Sequence, residues 1–234
     1  MKILNLFLLI LIIGCSKYQT NDNINNSLNQ IPINKNCDSI FQFGKYTLCV
    51  PKIYGMHNVI HNPQLKEYIQ SKNYPGNMYV AYYVNDKIYK NLEILYDDQF
   101  DDFFQIYVTI SNTDKIVNNI DLQSINKKAK EYVNSLNWEY LKDKLENLNE
   151  NNIFEKPIIV ESYSLSSNST QNVTLITVTK DNTQKNMVAI GNMIIVKNRL
   201  FYATYYYYLR NPKSIIEAKK RNDEIVFQVL KLNK

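Results

Sequence analysis

Two histidines, His57 and His61, stand four apart in the segment HNVIH. On a helix that spacing would turn both rings to one side, as a zinc-binding pair requires. Asn58, however, occupies the position where the H-E-x-x-H motif carries its general base. Gly55 before the segment and Pro63 after it favour a loop, so the pair reads as exposed loop histidines, with a metal site as the alternative. Asp97, Asp98, Asp101 and Asp102 supply hard oxygen donors of the kind Ca²⁺ takes. Their spacing lacks the Gly and terminal Glu of an EF-hand loop, and Phe100 interrupts the run, so a solvated acidic loop is expected. The chain carries no G-x-S-x-G elbow, no Gly-rich phosphate loop and no Cys/His constellation, and it has five glycines from which to build backbone cradles. No catalytic residue, cofactor or metal is expected.

Aromatic chemistry is more abundant. Nineteen tyrosines are present, several of them in the run YATYYYY from Tyr202 to Tyr208. As a strand, this run sends Tyr202, Tyr206 and Tyr208 to one face and Tyr205 and Tyr207 to the other. One set belongs to a core. The other either covers a helix or lies exposed, where tyrosines suit peptide, glycan or protein contacts because they offer large area at low entropy cost. Tyr205, Tyr206, Tyr207 and Tyr208 therefore form a candidate binding surface. Coding bias in an AT-rich genome together with strand propensity accounts for the run without function. Trp138, with Tyr132 and Tyr140 nearby, reads as helix-to-sheet packing.

The N-terminus carries an address. Met1 and Lys2 form a basic n-region, and Ile3 to Ile13 form an apolar h-region broken only by Asn5. This run falls well short of the roughly 20 residues that span a bilayer, so residues 1–14 read as a signal peptide. Ile12-Ile13-Gly14-Cys15, aliphatic then small then Cys, resembles the lipobox of bacterial lipoproteins. That resemblance implies cleavage before Cys15, attachment of diacylglycerol to its thiol and acylation of the new amine, with palmitate-type chains as the lipid anchor. Two or three acyl chains anchor stably where one binds marginally. Ser16 rather than Asp after the Cys implies the outer membrane if the cell has two, with the domain facing periplasm or exterior. Residues 16–36 are Asn-rich and without period, a flexible tether spanning about 25 Å as a coil and about 70 Å extended.

With Cys15 lipidated, Cys37 and Cys49 remain, in a compartment where disulfides persist. The stretch CDSIFQFGKYTLC reads as two short strands around Gly44. A three-residue loop Gln42-Phe43-Gly44 would oppose Phe41 with Lys45 and Cys37 with Cys49, close enough to bridge. A structural disulfide is expected. No CxxC motif or flanking His lowers a thiol pKa for redox work.

The remaining pattern places these groups on an α+β frame. Asn62-Pro63 opens a short helix with Leu65, Tyr68 and Ile69 on one face. Strands follow at 78–84 and 103–110. Asp121 caps a long helix whose stripe runs through Leu122, Ile125, Ala129, Tyr132, Val133, Leu136, Tyr140, Leu145 and Leu148. Strands at 157–164, 172–179, 187–196 and 199–208 with short turns make an antiparallel meander. Asn211-Pro212 caps a last helix with an interrupted stripe of Ile215, Ala218, Ile225, Val226 and Val229. The expected fold is one domain over 37–234, a mostly antiparallel sheet with packed helices in an α/β/α-like sandwich, opened by a disulfide-bridged hairpin. The order resembles the Mog1/PsbP-like fold, including the bacterial DcrB-type lipoproteins. The likeness is carried by Tyr46-Thr47-Leu48-Cys49-Val50-Pro51 and by the close, a Tyr-rich strand, Asn211-Pro212 and a helix with Glu224-Ile225-Val226-Phe227. It implies binding and assembly roles without a shared active site.

Composition sets the class of partner. A net charge of +5 comes from 27 Lys+Arg against 22 Asp+Glu, and Arg199, Arg210 and Arg221 are the chain's arginines. The guanidinium forks that read phosphates and base edges are scarce, so nucleic acid is not the expected partner. The reading is a non-enzymatic lipoprotein held to the bilayer through acylated Cys15, with a binding or accessory role through an envelope protein partner. A toxin-immunity lipoprotein and a divergent hydrolase with a site assembled only by the fold are the alternatives.

Overall fold

β-branched and aromatic residues dominate Asn77–Asn85, Asp102–Thr109 and the segments between 158 and 208, and the chain pairs these into one sheet. The computed structural model describes residues 36–43, 46–65, 69, 75–91, 101–112, 115–136, 139, 145–148, 152–180 and 183–234. All fall in the compact unit Lys35–Lys234. The signal segment, Cys15, most of the tether, Asp97, Asp98, Phe100, Tyr68, Trp138 and Tyr140 lie outside the described residues. In chain order the elements are β1 (Cys37–Phe43), β2 (Tyr46–Pro51), β3 (Met56–Asn58), β4 (Asn77–Asn85), α1 (Asp86–Lys90), β5 (Asp102–Thr109), α2 (Asn119–Asn134), β6 (Ile158–Ser166), β7 (Ser169–Lys180), β8 (Thr183–Val196), β9 (Arg199–Tyr208) and α3 (Lys213–Leu232). Residues 63–65 are also helical, with the Gln64 N–H donating to Asn62 Oδ1 at 2.9 Å as that cap requires.

Seven strands form an antiparallel sheet in the order β3-β4-β5-β9-β8-β7-β6, and β1-β2 form a separate hairpin. The β8–β9 turn holds Lys197 and Asn198 at φ of 49° and 59°. Two consecutive positive φ values are those of the primed turn that matches strand twist.

The hairpin and α3 close one face of the sheet. Leu48, Val50 and Ile53 from the hairpin side and Ala218, Ile225, Val226 and Val229 from α3 meet Tyr83, Phe104, Ile106, Ile190, Phe201 and Tyr205 in one buried cluster. Each large apolar side chain buried there contributes about 1.5–3 kcal/mol. The interruption in the α3 stripe is Asn222, fully buried, whose amide pairs reciprocally with Asn192 of β8 at 2.8 and 3.1 Å. A buried amide pair is tolerated because its hydrogen bonds are made. Cys37 and Cys49 are disulfide-bonded, with Cα atoms 5.4 Å apart. Their register differs from expectation: Phe43 faces Tyr46, Ile40 faces Cys49 and Cys37 faces Pro51, with a bulge between Cys37 and Ser39. Phe41 faces Leu48 rather than Lys45, a displacement of three residues, so Cys37 and Cys49 are bridged without standing directly opposite each other. Beyond Cys49 the Asn233 side chain takes the place of a further strand, accepting from the Cys49 N–H at 2.7 Å and donating to its carbonyl at 2.9 Å.

α2 covers part of the opposite face. Leu122 packs with Ile195, Leu200 and Tyr202, and Asn126 bonds Ser162 and Ser164 of β6. The helix ends at Asn134 rather than running to Leu148, and its cap is Asn118, not Asp121. Asn118 accepts from Ile120 and Asp121 N–H while Asp121 accepts from Asn118 N–H, a reciprocal capping box that moves the start three residues earlier. Leu122 and Val133 are buried and Tyr132 is exposed, so the expected stripe is narrower by Tyr132.

Candidate functional site

The register across β4, β5 and β9 decides which tyrosines meet. On β5, Phe104, Ile106 and Val108 point into the α3 core, and Phe103, Gln105 and Tyr107 point to the other face, half-buried. Phe103 pairs with Tyr206, Gln105 with Thr204 and Tyr107 with Tyr202 on β9; Tyr79 pairs with Tyr107 and Tyr82 with Gln105 on β4. Six rings follow one another in contact. Tyr202 stacks on Tyr107 at 5.5 Å, and Tyr107 meets Tyr79 edge-on at 6.2 Å. Tyr79 meets Tyr82 at 6.0 Å, Tyr82 stacks on Phe103 at 5.8 Å and Phe103 on Tyr206 at 4.6 Å. Each such pair contributes about 0.5–1.5 kcal/mol beyond its buried area.

The six rings form a horseshoe around Gln105 and Thr204, open toward Ala189 and Gly191, which face Tyr206 and Thr204 from β8. One end of this sheet face is covered by Val59, Leu65, Ile69 and Ile88, packed with Tyr82 and Val84, and the other by α2. Between them Tyr79, Phe103, Tyr107 and Tyr206 stay half-buried. Burial first, then the Tyr107 phenol, pushes the Tyr79 phenol up to about 12. Burial raises Tyr206 too, with Tyr107 and Tyr79 adding to it, and raises Tyr107 against a hydrogen bond from Thr204. The three phenols therefore sense one another and stay neutral: the horseshoe presents rings and hydroxyls and no charge.

The tyrosine set expected at the surface divides. Tyr205 is 1% exposed and belongs to the core, so it is no surface residue; its phenol donates to Asp102 Oδ1 at 2.7 Å. Tyr207 is half-buried on the same side, donating to Glu217 of α3 at 3.0 Å. Tyr206 joins the horseshoe. Tyr208, further along that face, lies under Lys185 and Arg210, whose charged ends stand 5.1 and 5.5 Å from its ring centre. Strand alternation separated the faces as expected, and the α3 core claimed the Tyr205 side.

Asp102 is not part of a solvated loop. It starts β5, and burial raises its carboxyl pKa, opposed by the Tyr205 hydrogen bond and by Arg221. Asp101 accepts from the Asn85 amide at 3.4 Å. His57 sits on β3 rather than in a loop, its Nε2 2.7 Å from Asp86 Oδ1 and its ring stacked on Tyr89 at 3.9 Å. His61 lies exposed in the following turn. Among the described residues no three His, Cys, Asp or Glu side chains group as a metal site, and no helix is long and apolar enough to cross a membrane.

No family model matches the chain. No curated protein matches it. Among solved structures, it is similar to the Ran-binding protein Mog1p of Saccharomyces cerevisiae, with 13% identity and a TM-score of 0.31 over 80% of this chain and 86% of that one.

Sequence reasoning reached Tyr206 and missed Tyr79, Tyr82, Phe103 and Tyr107. The available signal was the double alternation of β5, where both Phe104-Ile106-Val108 and Phe103-Gln105-Tyr107 are mainly apolar. Such a strand has no face fit for full solvent exposure.

Proposed function

We propose that this chain is a non-enzymatic, lipid-anchored bacterial envelope protein whose α+β domain binds another envelope protein through the aromatic horseshoe. The observation that carries the binding half is the part-exposure of Tyr79, Phe103, Tyr107 and Tyr206 between two covered ends of one sheet face. Tyrosine is enriched where interfaces gain most from a rigid, amphipathic ring. The lipobox at Cys15 supports the anchored half, and the Cys37–Cys49 bridge fits a protein that folds outside the reducing cytoplasm.

The test is photocrosslinking in intact cells with a benzophenone amino acid at position 206, compared with the same probe at Tyr132 on the exposed side of α2. A discrete adduct from position 206 alone is expected. Equal adducts at both positions, or none at 206, would remove the horseshoe as the contact surface. The mass of the mature N-terminus tests the anchor separately: unmodified Cys15 would end the lipoprotein assignment.

A further inference from the structure

We propose that the sheet end carrying Met78, Ile110, Ile116 and Ile120 rests on the bilayer, so that the domain itself meets anionic lipid headgroups; this rests on the lipid anchor proposed above. Hydrogen bonds gather these residues at one end of the sheet. The Ile110 N–H, just past β5, donates to the Gly76 carbonyl before β4 at 2.8 Å, and the Val117 N–H donates to the Asn198 carbonyl in the β8–β9 turn at 3.0 Å. The hairpin turn lies at the same end. Lys197 Nζ donates to the Thr47 carbonyl at 3.2 Å, and the Arg199 guanidinium stands 5.0 Å from the Tyr46 ring centre. From this end project Ile116 and Ile120, each 74% exposed, with Ile110 at 54% and Met78 at 38%. Apolar side chains scattered singly over a surface need no explanation, whereas four gathered at one end mark a contact surface.

Charge selects a bilayer over a protein as the occupant. Lys115 and Lys197 are exposed among these apolar residues and Arg199 is half-buried behind them. Asp121, at the same end, accepts from the Asn118 N–H at 3.2 Å within the capping box. Aliphatic side chains, lysines and a tyrosine together suit a headgroup boundary. The apolar groups enter the acyl region, the ammonium groups meet lipid phosphates, and the amphipathic Tyr46 ring stays between. The centre of a protein interface is instead depleted of lysine.

The attachment point of the chain fits this posture. β1 runs from Cys37 to Phe43, which pairs with Tyr46 at the hairpin turn, so Cys37 lies six residues, about 20 Å, from the end that touches the bilayer. The 21 residues between Cys15 and Cys37 would span about 25 Å as a coil, enough to cover that rise without stretching. Gln105, in the horseshoe floor, stands five residues from Ile110, about 17 Å from the same end. The horseshoe therefore faces sideways, clear of the headgroups.

The experiment reconstitutes the mature chain, purified from membranes, in vesicles of phosphatidylethanolamine with about a quarter phosphatidylglycerol. A fluorophore is attached through Ile116→Cys and, separately, through Ile216→Cys on the exposed side of α3. With Cys37 and Cys49 bridged and Cys15 acylated, the new thiol alone takes the label. Quenching by a lipid with a nitroxide on its acyl chain should be at least about threefold stronger at 116 than at 216. Lys115→Glu with Lys197→Glu should cut the quenching at 116 by at least about half, although the acylated chain stays in the vesicle. Equal quenching at both positions, or quenching at 116 that ignores the charge reversal, overturns the proposal. So does a discrete protein adduct from a benzophenone amino acid at 116 in intact cells, which would make this end a protein interface. The mass of the mature N-terminus in the same sample separates the failures. Acylated Cys15 with 116 unquenched removes the bilayer contact alone, and unmodified Cys15 removes the anchor and this contact together.

Discussion

Phe103 and Phe104 are neighbours in sequence and opposites in circumstance. Phe104 is fully buried beneath α3, in a face where apolar contacts are continuous and the interior polar groups Asn192 and Asn222 satisfy each other. Phe103 is half-buried on a face whose two ends are covered and whose middle is a ring of aromatics over a polar floor. The α2 side of that second face also carries a buried Asn172 Oδ1 and Thr174 Oγ1 without hydrogen-bond partners. One face is finished as a core, and the other keeps groups that a core would not retain. Under the binding function proposed above, this contrast favours the sheet side away from α3.

The largest effect that probes the contrast is truncation of the two phenylalanines. Phe104→Ala should cost about 3–5 kcal/mol in denaturant unfolding, and Phe103→Ala about 1 kcal/mol, because a half-exposed site leaves little cavity. Equal losses would mean that the horseshoe is core after all.

Next in size is the disulfide that ties the two strands of the hairpin together. Replacing Cys37 and Cys49 together by Ser should cost about 3 kcal/mol, read from the thermal midpoint against a reduced control. A far smaller loss would show that Asn233 and the apolar contacts of Leu48 and Val50 hold the hairpin without it.

On the opposite face the sign reverses. Thr174→Val removes a buried hydroxyl that has no partner at nearly constant volume, and should stabilise the chain by about 1 kcal/mol. Destabilisation in urea unfolding would reveal a partner for that hydroxyl, such as a bound water.

A pH dependence probes the horseshoe from another side, although buried tyrosines elsewhere, such as Tyr83 and Tyr163, share in it. The Tyr79 phenol keeps its proton in the folded chain up to about 12, whereas its ordinary value is 10.0. Between those values the folded state binds more protons than the unfolded one, so stability is unchanged below pH 10 and falls as pH rises from about 10 toward 12. Thermal midpoints across pH 7–12 should show this fall, and Tyr79→Phe should make it shallower. An unchanged slope in the variant would assign the alkaline loss to other tyrosines.

Much of the frame was legible because it depends on neighbours along the chain. The meander strands come from period-two alternation and from turns such as Lys197-Asn198, and α3 comes from its 3.6-residue stripe. The long helix expected over Asp121 to Leu148 fails for a local reason that is harder to read. Asn118 and Asp121 form a box whose two bonds define the start, and Asn134-Ser135 ends the helix before the apolar pattern does. The hairpin register was missed because the position of the turn sets every pairing, and the strands pair three residues from the expected register even though the disulfide formed as expected.

The sequence by itself determined the described strands other than β3, the presence though not the bounds of the helix around Leu122, the last helix, the cysteine pair and the division of Tyr205 and Tyr207 from Tyr206 and Tyr208. Each follows from side-chain direction within one element, fixed by backbone periodicity. Only the tertiary structure decided that Tyr79 and Tyr82, Phe103 and Tyr107, and Tyr202 and Tyr206 would close around Gln105 and Thr204. Those residues span more than a hundred positions, and their meeting is set by strand order and register across β4, β5 and β9. No local period encodes that pairing.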